Sequence, residues 1–162
     1  MTPCAVIGLG LWPGSPVVRL ERVAINQADF EIPDNRGLIA REPIVPDGPM
    51  AYAATLPLHA ICDRLLAAGI PCALSGTAGQ YLCNTVLYHA LATCSARSPA
   101  PPCGFIHVPY LPQQVAAMIA AAHADHRLEL HQRGDLASMG LEPMREGVRL
   151  AIETTLAAAA QP

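Results

Sequence analysis

The sequence predicts an α/β layered domain with a largely parallel sheet. Short apolar, β-branched runs alternate with stretches of helical periodicity. Glycine and proline punctuate most handovers between them. At 162 residues the chain is the size of one domain with room for a core, so residues 1–162 are read as a single domain.

Taken in order, residues 5–9 (AVIGL) form a short apolar run before a Gly/Pro loop and read as a strand. The opening MTPCAVIGLGLWPG superficially resembles a signal-peptide core, but no Lys or Arg precedes Arg19, so the basic flank of a signal is missing. Residues 17–25 (VVRLERVAI) alternate and predict a second strand, and residues 26–37 carry turn signals. Over residues 50–68, Ala51, Ala54, Leu58, Ile61, Leu65 and Leu66 fall near one helical face, with Gly69 as the stop. Residues 72–74 predict a strand, 81–92 a helix, 95–102 a proline-rich loop, and 105–108 a buried strand closed by Pro109. Helices are expected over 113–124 and 142–159, the second burying Met144, Val148, Ala151, Ile152 and Leu156. Between them, residues 128–130 form a possible edge strand. The alanine-rich stretches 116–124 and 156–160 read as helix and fraying tail.

Composition narrows the function classes. Apolar residues make up 52% and charged residues 14%, which excludes a disordered chain. All ten basic residues are scattered arginines and the net charge is −3, so no basic stripe offers itself to nucleic acid. No apolar run reaches the roughly 18 residues of a membrane span. Without a secretion signal the expected location is cytoplasmic. The six cysteines are then expected to be reduced and mostly buried, with a Cys94–Cys103 disulfide disfavoured.

The most informative stretch is residues 70–84, IPCALSGTAGQYLCN. It reads as a short buried strand, a turn of small residues, and a helix that opens around Tyr81 and Cys83. A cysteine at a helix N-terminus meets unsatisfied backbone N–H groups and the positive end of the dipole, which favour a thiolate. Such a nucleophile needs an imidazole to carry its proton and a carboxylate or amide to orient the imidazole. His107 stands out among the six histidines, because it ends an apolar strand where a polar group is costly to bury alone. Glu21 stands out in the same way, as a charge inside VVRLERVAI. His123, His126 and His131 are spaced i, i+3, i+8, which suits no compact metal site, and they read as solvated surface.

Three segments, GLWPGSPVVRLERVAIN (10–26), IPCALSGTAGQYLCN (70–84) and GFIHVPYLP (104–112), resemble the signatures of pyroglutamyl peptidase type I, also called pyrrolidone-carboxylate peptidase. IPDNRG (32–37) and GPMAYAATLP (48–57) extend the likeness, which runs from Ala5 to the last helix. The resemblance implies a three-layer α/β/α sandwich around a mostly parallel or mixed sheet. It implies a cysteine exopeptidase that hydrolyses the amide after an N-terminal pyroglutamyl residue through a thioester. Carried over residue by residue, Cys83 matches the nucleophile, His107 the general base and acid, and Glu21 the carboxylate that orients the histidine. Tyr81 and Leu82 match apolar walls of the ring pocket. N-terminally pyroglutamylated peptides are the implied partners, and no metal or organic cofactor is implied.

The chain also departs from the family pattern. Relative to the family it is truncated at the N-terminus, lacking a segment whose phenylalanines sandwich the pyroglutamyl ring. Glu31 stands where the family carries an arginine, and a carboxylate there repels a developing oxyanion. Leu11 replaces a glutamine, and Arg19 replaces a small hydroxyl residue two positions before Glu21; an arginine there would offset Glu31 if the fold joins them. The alternatives to a working peptidase are an inactive, truncated remnant or binding domain, and a cysteine hydrolase with a changed acyl pocket. The missing segment leaves a sheet edge or apolar face uncovered, which predicts poor solubility or self-association, a homo-oligomer being one outcome.

Overall fold

A computed structural model of the chain describes residues 3–124 and 136–160. The elements run β1 (Val6–Leu11), β2 (Val18–Glu21), β3 (Val23–Ile25), β4 (Ala28–Asp29), β5 (Arg41–Glu42), β6 (Ala51–Ala53), α1 (Leu58–Ala67), β7 (Cys72–Ser75), α2 (Leu82–Ser95), β8 (Cys103–Val108), α3 (Pro112–Ala124) and α4 (Leu141–Ala159). The main sheet has the order β1-β8-β2-β7 and is mixed: β1 runs parallel to β8, β2 parallel to β7, and β2 antiparallel to β8. Two ribbons, β3 with β6 and β4 with β5, flank it. The expected strand at 128–130, and His126 and His131, lie outside the described residues.

Strand alternation sorts the core into two clusters. Val18 and Leu20 of β2 and Ile106 of β8 bury into one face with Ile61 and Leu65 of α1 and Met144, Leu150 and Ala151 of α4. The intervening Cys103 and Phe105 of β8 face the other side, where Leu87, Tyr88 and Leu91 of α2 cover them. The result is helices on both faces of the sheet.

Three expected elements differ. Residues 17–25 are two strands, because the chain turns at Arg22. Its backbone N–H donates to the Ser75 carbonyl and its own carbonyl accepts from Ala54 N, which passes the chain from β2 to the ribbon strand β3. Residues 50–68 are not one helix. Ala51–Ala53 pair with β3, and α1 starts only after Pro57, its N-cap residue. Past the first turn a proline removes a backbone donor and clashes with the preceding turn, and it pushes the residue before it towards extended backbone. The C-terminal end follows expectation: Gly69 takes φ +73°, and Gly69 N and Ile70 N donate to the carbonyls of Leu66 and Leu65, closing the helix in a Schellman pattern.

In α4 the buried face is Met144, Gly147, Leu150, Ala151 and Thr155, whereas Ile152 and Leu156 are exposed. Val148 is half-buried. Small residues decide this rotation. A Cβ on Gly147 would already touch Leu65 at 3.5 Å, so α4 turns its narrow side to α1 and approaches closely. Thr155 satisfies its hydroxyl by donating to the Ala151 carbonyl at 2.8 Å.

Among the described residues β1 is an edge strand, paired only with β8, and its Leu9 and Leu11 are exposed. They line an apolar groove of about 500 Å³ with Val108, Leu111, Leu141 and Val148. No described helix is long and apolar enough to cross a membrane.

Candidate active site

The antiparallel pairing of β2 with β8 builds the site. Arg19 lies opposite His107 and Glu21 opposite Phe105, so all four side chains share one face of the sheet while Leu20 and Ile106 share the other. A largely parallel sheet would gather its loops at one end. Here β7 and β8 run in opposite directions on either side of the short β2, with Ser75 opposite Glu21 and His107 opposite Arg19.

Glu21 and His107 are buried to 0% and 1% exposure, and His107 Nδ1 lies 2.9 Å from Glu21 Oε1. With Glu21 accepting, Nδ1 carries the proton and Nε2 is left for other work. Burial disfavours the charged imidazole. Hydrogen bonds to Cys83 and Glu21, and the charges of both, outweigh burial and hold the His107 pKa above its ordinary value. The ring is flanked by Phe105 at 4.8 Å and by the edge-on Trp12 at 5.1 Å between centroids.

Cys83 is the second residue of α2, reached from β7 through the turn of Ser75, Gly76, Thr77, Ala78 and Gly79. The turn is pinned by its own hydroxyls: Thr77 N donates to Ser75 Oγ at 3.3 Å and Gly79 N to Thr77 Oγ1 at 3.0 Å. Tyr81 caps α2 with extended backbone and no side-chain bond, and the Thr85 N bond to the Tyr81 carbonyl is 3.2 Å. The N–H groups of residues 82–84 therefore precede the first turn's bonding. Two other thiols are held protonated. Burial, with a thiol neighbour, pushes Cys72 and Cys103 up to about 12. All six cysteines are free, and only Cys94 and Cys103 are buried. Cys72 Sγ lies 3.0 Å from Cys62 Sγ.

A cavity of about 590 Å³ opens over Cys83 and His107. Leu11, Trp12, Asp29, Glu31 and Tyr81 line it as well. Tyr81 ties the opposite loop down, donating its hydroxyl to the Pro33 carbonyl at 3.0 Å and meeting Phe30 edge-on at 4.7 Å. Leu82, expected as a second pocket wall, is 37% exposed and does not line this cavity, since the first turn of α2 carries it outward. Arg19 joins Glu21, Ser75 and Thr77 and forms no ion pair with Glu31 among the described residues. No described group of three His, Cys, Asp or Glu is arranged to hold a metal ion.

Two supporting residues escaped the sequence reading. Gly10 faces the thiol: a Cβ there would stand 2.8 Å from the Phe105 ring and 3.1 Å from Cys83 Sγ. Asn84, buried beside Cys83, accepts from Ile25 N at 3.0 Å and donates to the carbonyls of Ile25 and Gln27 at 2.9 and 3.1 Å, clamping the start of α2 to the β3–β4 link. A polar amide in the first turn of an otherwise apolar helix was the available signal for Asn84.

Residues 1–158 match the family model described as pyroglutamyl peptidase. The chain belongs to the pyroglutamyl peptidase family. Its members are cysteine hydrolases, and the relatives carry the name pyrrolidone-carboxylate peptidase. That of Pyrococcus furiosus is 40% identical over 155 residues, covering 95% of this chain and 69% of the relative. That of Deinococcus radiodurans is 52% identical over 109 residues, covering 66% of this chain and 50% of the relative. Among solved structures, the pyrrolidone carboxyl peptidase of P. furiosus superposes with a TM-score of 0.86 at 38% identity, covering 97% of this chain and 71% of that one. The Thermococcus litoralis structure gives a TM-score of 0.84 at 38% identity, over 96% and 66%. The chain thus spans between half and about seven-tenths of the length of these pyroglutamyl peptidases.

Proposed function

We propose that this chain is a cysteine exopeptidase that removes an N-terminal pyroglutamyl residue, with Cys83 as nucleophile, His107 as general base and acid, and Glu21 as the carboxylate holding His107. The observation that carries the reading is the buried 2.9 Å Nδ1–Oε1 pair beneath a cavity shared with Cys83, in a chain of this family.

In this reading His107 Nε2 takes the Cys83 proton as sulfur attacks the carbonyl carbon of the pyroglutamyl residue. The N–H groups opening α2 receive the negative charge on oxygen. His107 then protonates the leaving amine, the C–N bond breaks, and a thioester remains on Cys83. Water, deprotonated by the same nitrogen, cleaves the thioester and returns the proton to sulfur. Glu21 keeps the Nδ1 proton in place and offsets the imidazolium charge between steps. Pyroglutamylated peptides are the proposed substrates, and Tyr81 is the proposed apolar wall for the ring.

One observation favours a second reading, a hydrolase or binding domain with an altered acyl pocket: Glu31 and Leu11 both line the cavity. A carboxylate facing the oxyanion raises the barrier to attack. Both readings are decided by incubating the reduced chain with a pyroglutamyl-aminocoumarin substrate beside Cys83→Ala. Fluorophore release that the variant abolishes is the expected result. Silence from the unaltered chain, with release gained by Glu31→Arg, would replace the first reading by the second.

A further inference from the structure

We propose that Arg19 is a positioning residue of the active site, anchoring the Glu21–His107 pair and the Trp12 wall through one guanidinium. The proposal rests on the reading of Cys83, His107 and Glu21 as the catalytic groups.

Arg19 stands opposite His107 in the β2–β8 register, on the face that carries Glu21. Its Nε donates to Glu21 Oε1 at 3.3 Å, the same oxygen that accepts from His107 Nδ1 at 2.9 Å. Its Nη2 donates to Ser75 Oγ at 2.7 Å and to the Thr77 carbonyl at 3.1 Å, so one side chain ties Glu21 to the turn that leads to Cys83. Its Cζ lies 3.9 Å over the Trp12 ring, whose edge meets His107. A planar guanidinium does all three at once; an ammonium is a point charge without the stacking face.

Glu21 needs such a partner. Its carboxylate is fully buried, and Oε2 has no hydrogen-bond partner among the described residues. A buried carboxylate with a single neutral donor is costly, and a nearby cation relieves that cost. The same cation acts on His107. Arg19 repels an added proton on the imidazole and takes a share of Oε1, so it restrains the proton affinity that Glu21 alone would impose. The other charged or titratable groups around the ring are Cys83 on α2, and Asp29, Glu31 and Tyr81 across the cavity. None of these is a cation.

The test compares the unaltered chain with Arg19→Met and Arg19→Lys. One readout is the pH dependence of kcat/KM on the pyroglutamyl substrate. The other is the NMR titration of the His107 ring in a Cys83→Ala background, which needs no turnover. Arg19→Met should raise the His107 midpoint and the acid limb of kcat/KM by about half a pH unit or more, costing ~3–10-fold below the limb. Arg19→Lys should move the midpoint less, because the charge remains. KM should rise in both, because Trp12 loses its stacked support. An unshifted His107 midpoint in Arg19→Met overturns the proposal; if that variant does not fold, Arg19→Gln is judged by the same criterion. A chain without hydrolytic activity removes the catalytic reading alone, since the titration still decides the role of Arg19.

Discussion

The two faces of the central sheet are made from the same strands and do different work. Along β2, Val18 and Leu20 enter an aliphatic core sealed by α1 and α4, while Arg19 and Glu21 enter the proposed active site under α2. Along β8, Ile106 joins the first face, and Phe105 and His107 the second. The aliphatic face has nothing to satisfy except volume. The opposite face carries a buried histidine–carboxylate pair, a fully buried carboxylate oxygen without a partner among the described residues, and a glycine kept small beside a thiol. Alternation in an extended chain thus lets one short strand supply stability on one side and chemistry on the other.

The sharpest separation is Cys83→Ala. It should abolish hydrolysis, a loss of at least ~10³-fold, while the urea midpoint stays within error. Leu20→Ala tests the opposite face, where Leu20 is fully buried. It should lower stability by about 2–5 kcal/mol by leaving a cavity, with kcat/KM per folded molecule close to unaltered. Urea denaturation reads the first quantity, and kcat/KM normalised to the folded fraction reads the second.

Gly10→Ala addresses the seam between β1 and the site. The added methyl meets Phe105 at 2.8 Å and Cys83 Sγ at 3.1 Å, so a loss of about 1–3 kcal/mol is expected from overpacking. Activity should drop with it, because the thiol is displaced. Unchanged kcat/KM in that variant would mean that Cys83 is not held against β1.

A smaller effect comes from pH. The folded pKa of His107 lies above the ordinary 6.5, so its ionised pair stabilises the fold fully below that value, and the contribution fades as pH rises through the folded pKa. On the proposed mechanism activity runs the other way, since the free base is the working form. Urea midpoints and kcat/KM measured from pH 5.5 to 8.5 should therefore trend in opposite directions. Smallest of all is Arg64→Ala. The Arg64–Glu153 bridge is 2.7 Å long but nearly half exposed, and its removal should cost less than about 1 kcal/mol and leave activity alone.

The sequence exposed the site more readily than the packing around it. Glu21 and His107 are polar residues in apolar strands, and the fold brings them within a hydrogen bond of each other. Residues 70–84 could be read because the small-residue turn is local. The break at Arg22 was invisible, since it depends on backbone bonds to Ser75 and Ala54, distant in sequence. Pro57 did announce the late start of α1, but six apolar residues near one face outweighed it. In α4, hydropathy favoured Ile152 and Leu156, whereas close approach to α1 selected Gly147 and Thr155. Arg19 was placed by register alone: strand pairing set it beside Glu21 and away from Glu31.

That pairing has a consequence for how the chain reaches its native state. If β2 slid by one residue against β8, Arg19 and Glu21 would be driven into the aliphatic core, and Val18 and Leu20 would be turned out under α2. A buried charge without partners is too costly for such an alignment to survive. The charged pair of β2 therefore also proofreads the strands during folding, rejecting the shifted pairing that a purely aliphatic β2 would tolerate.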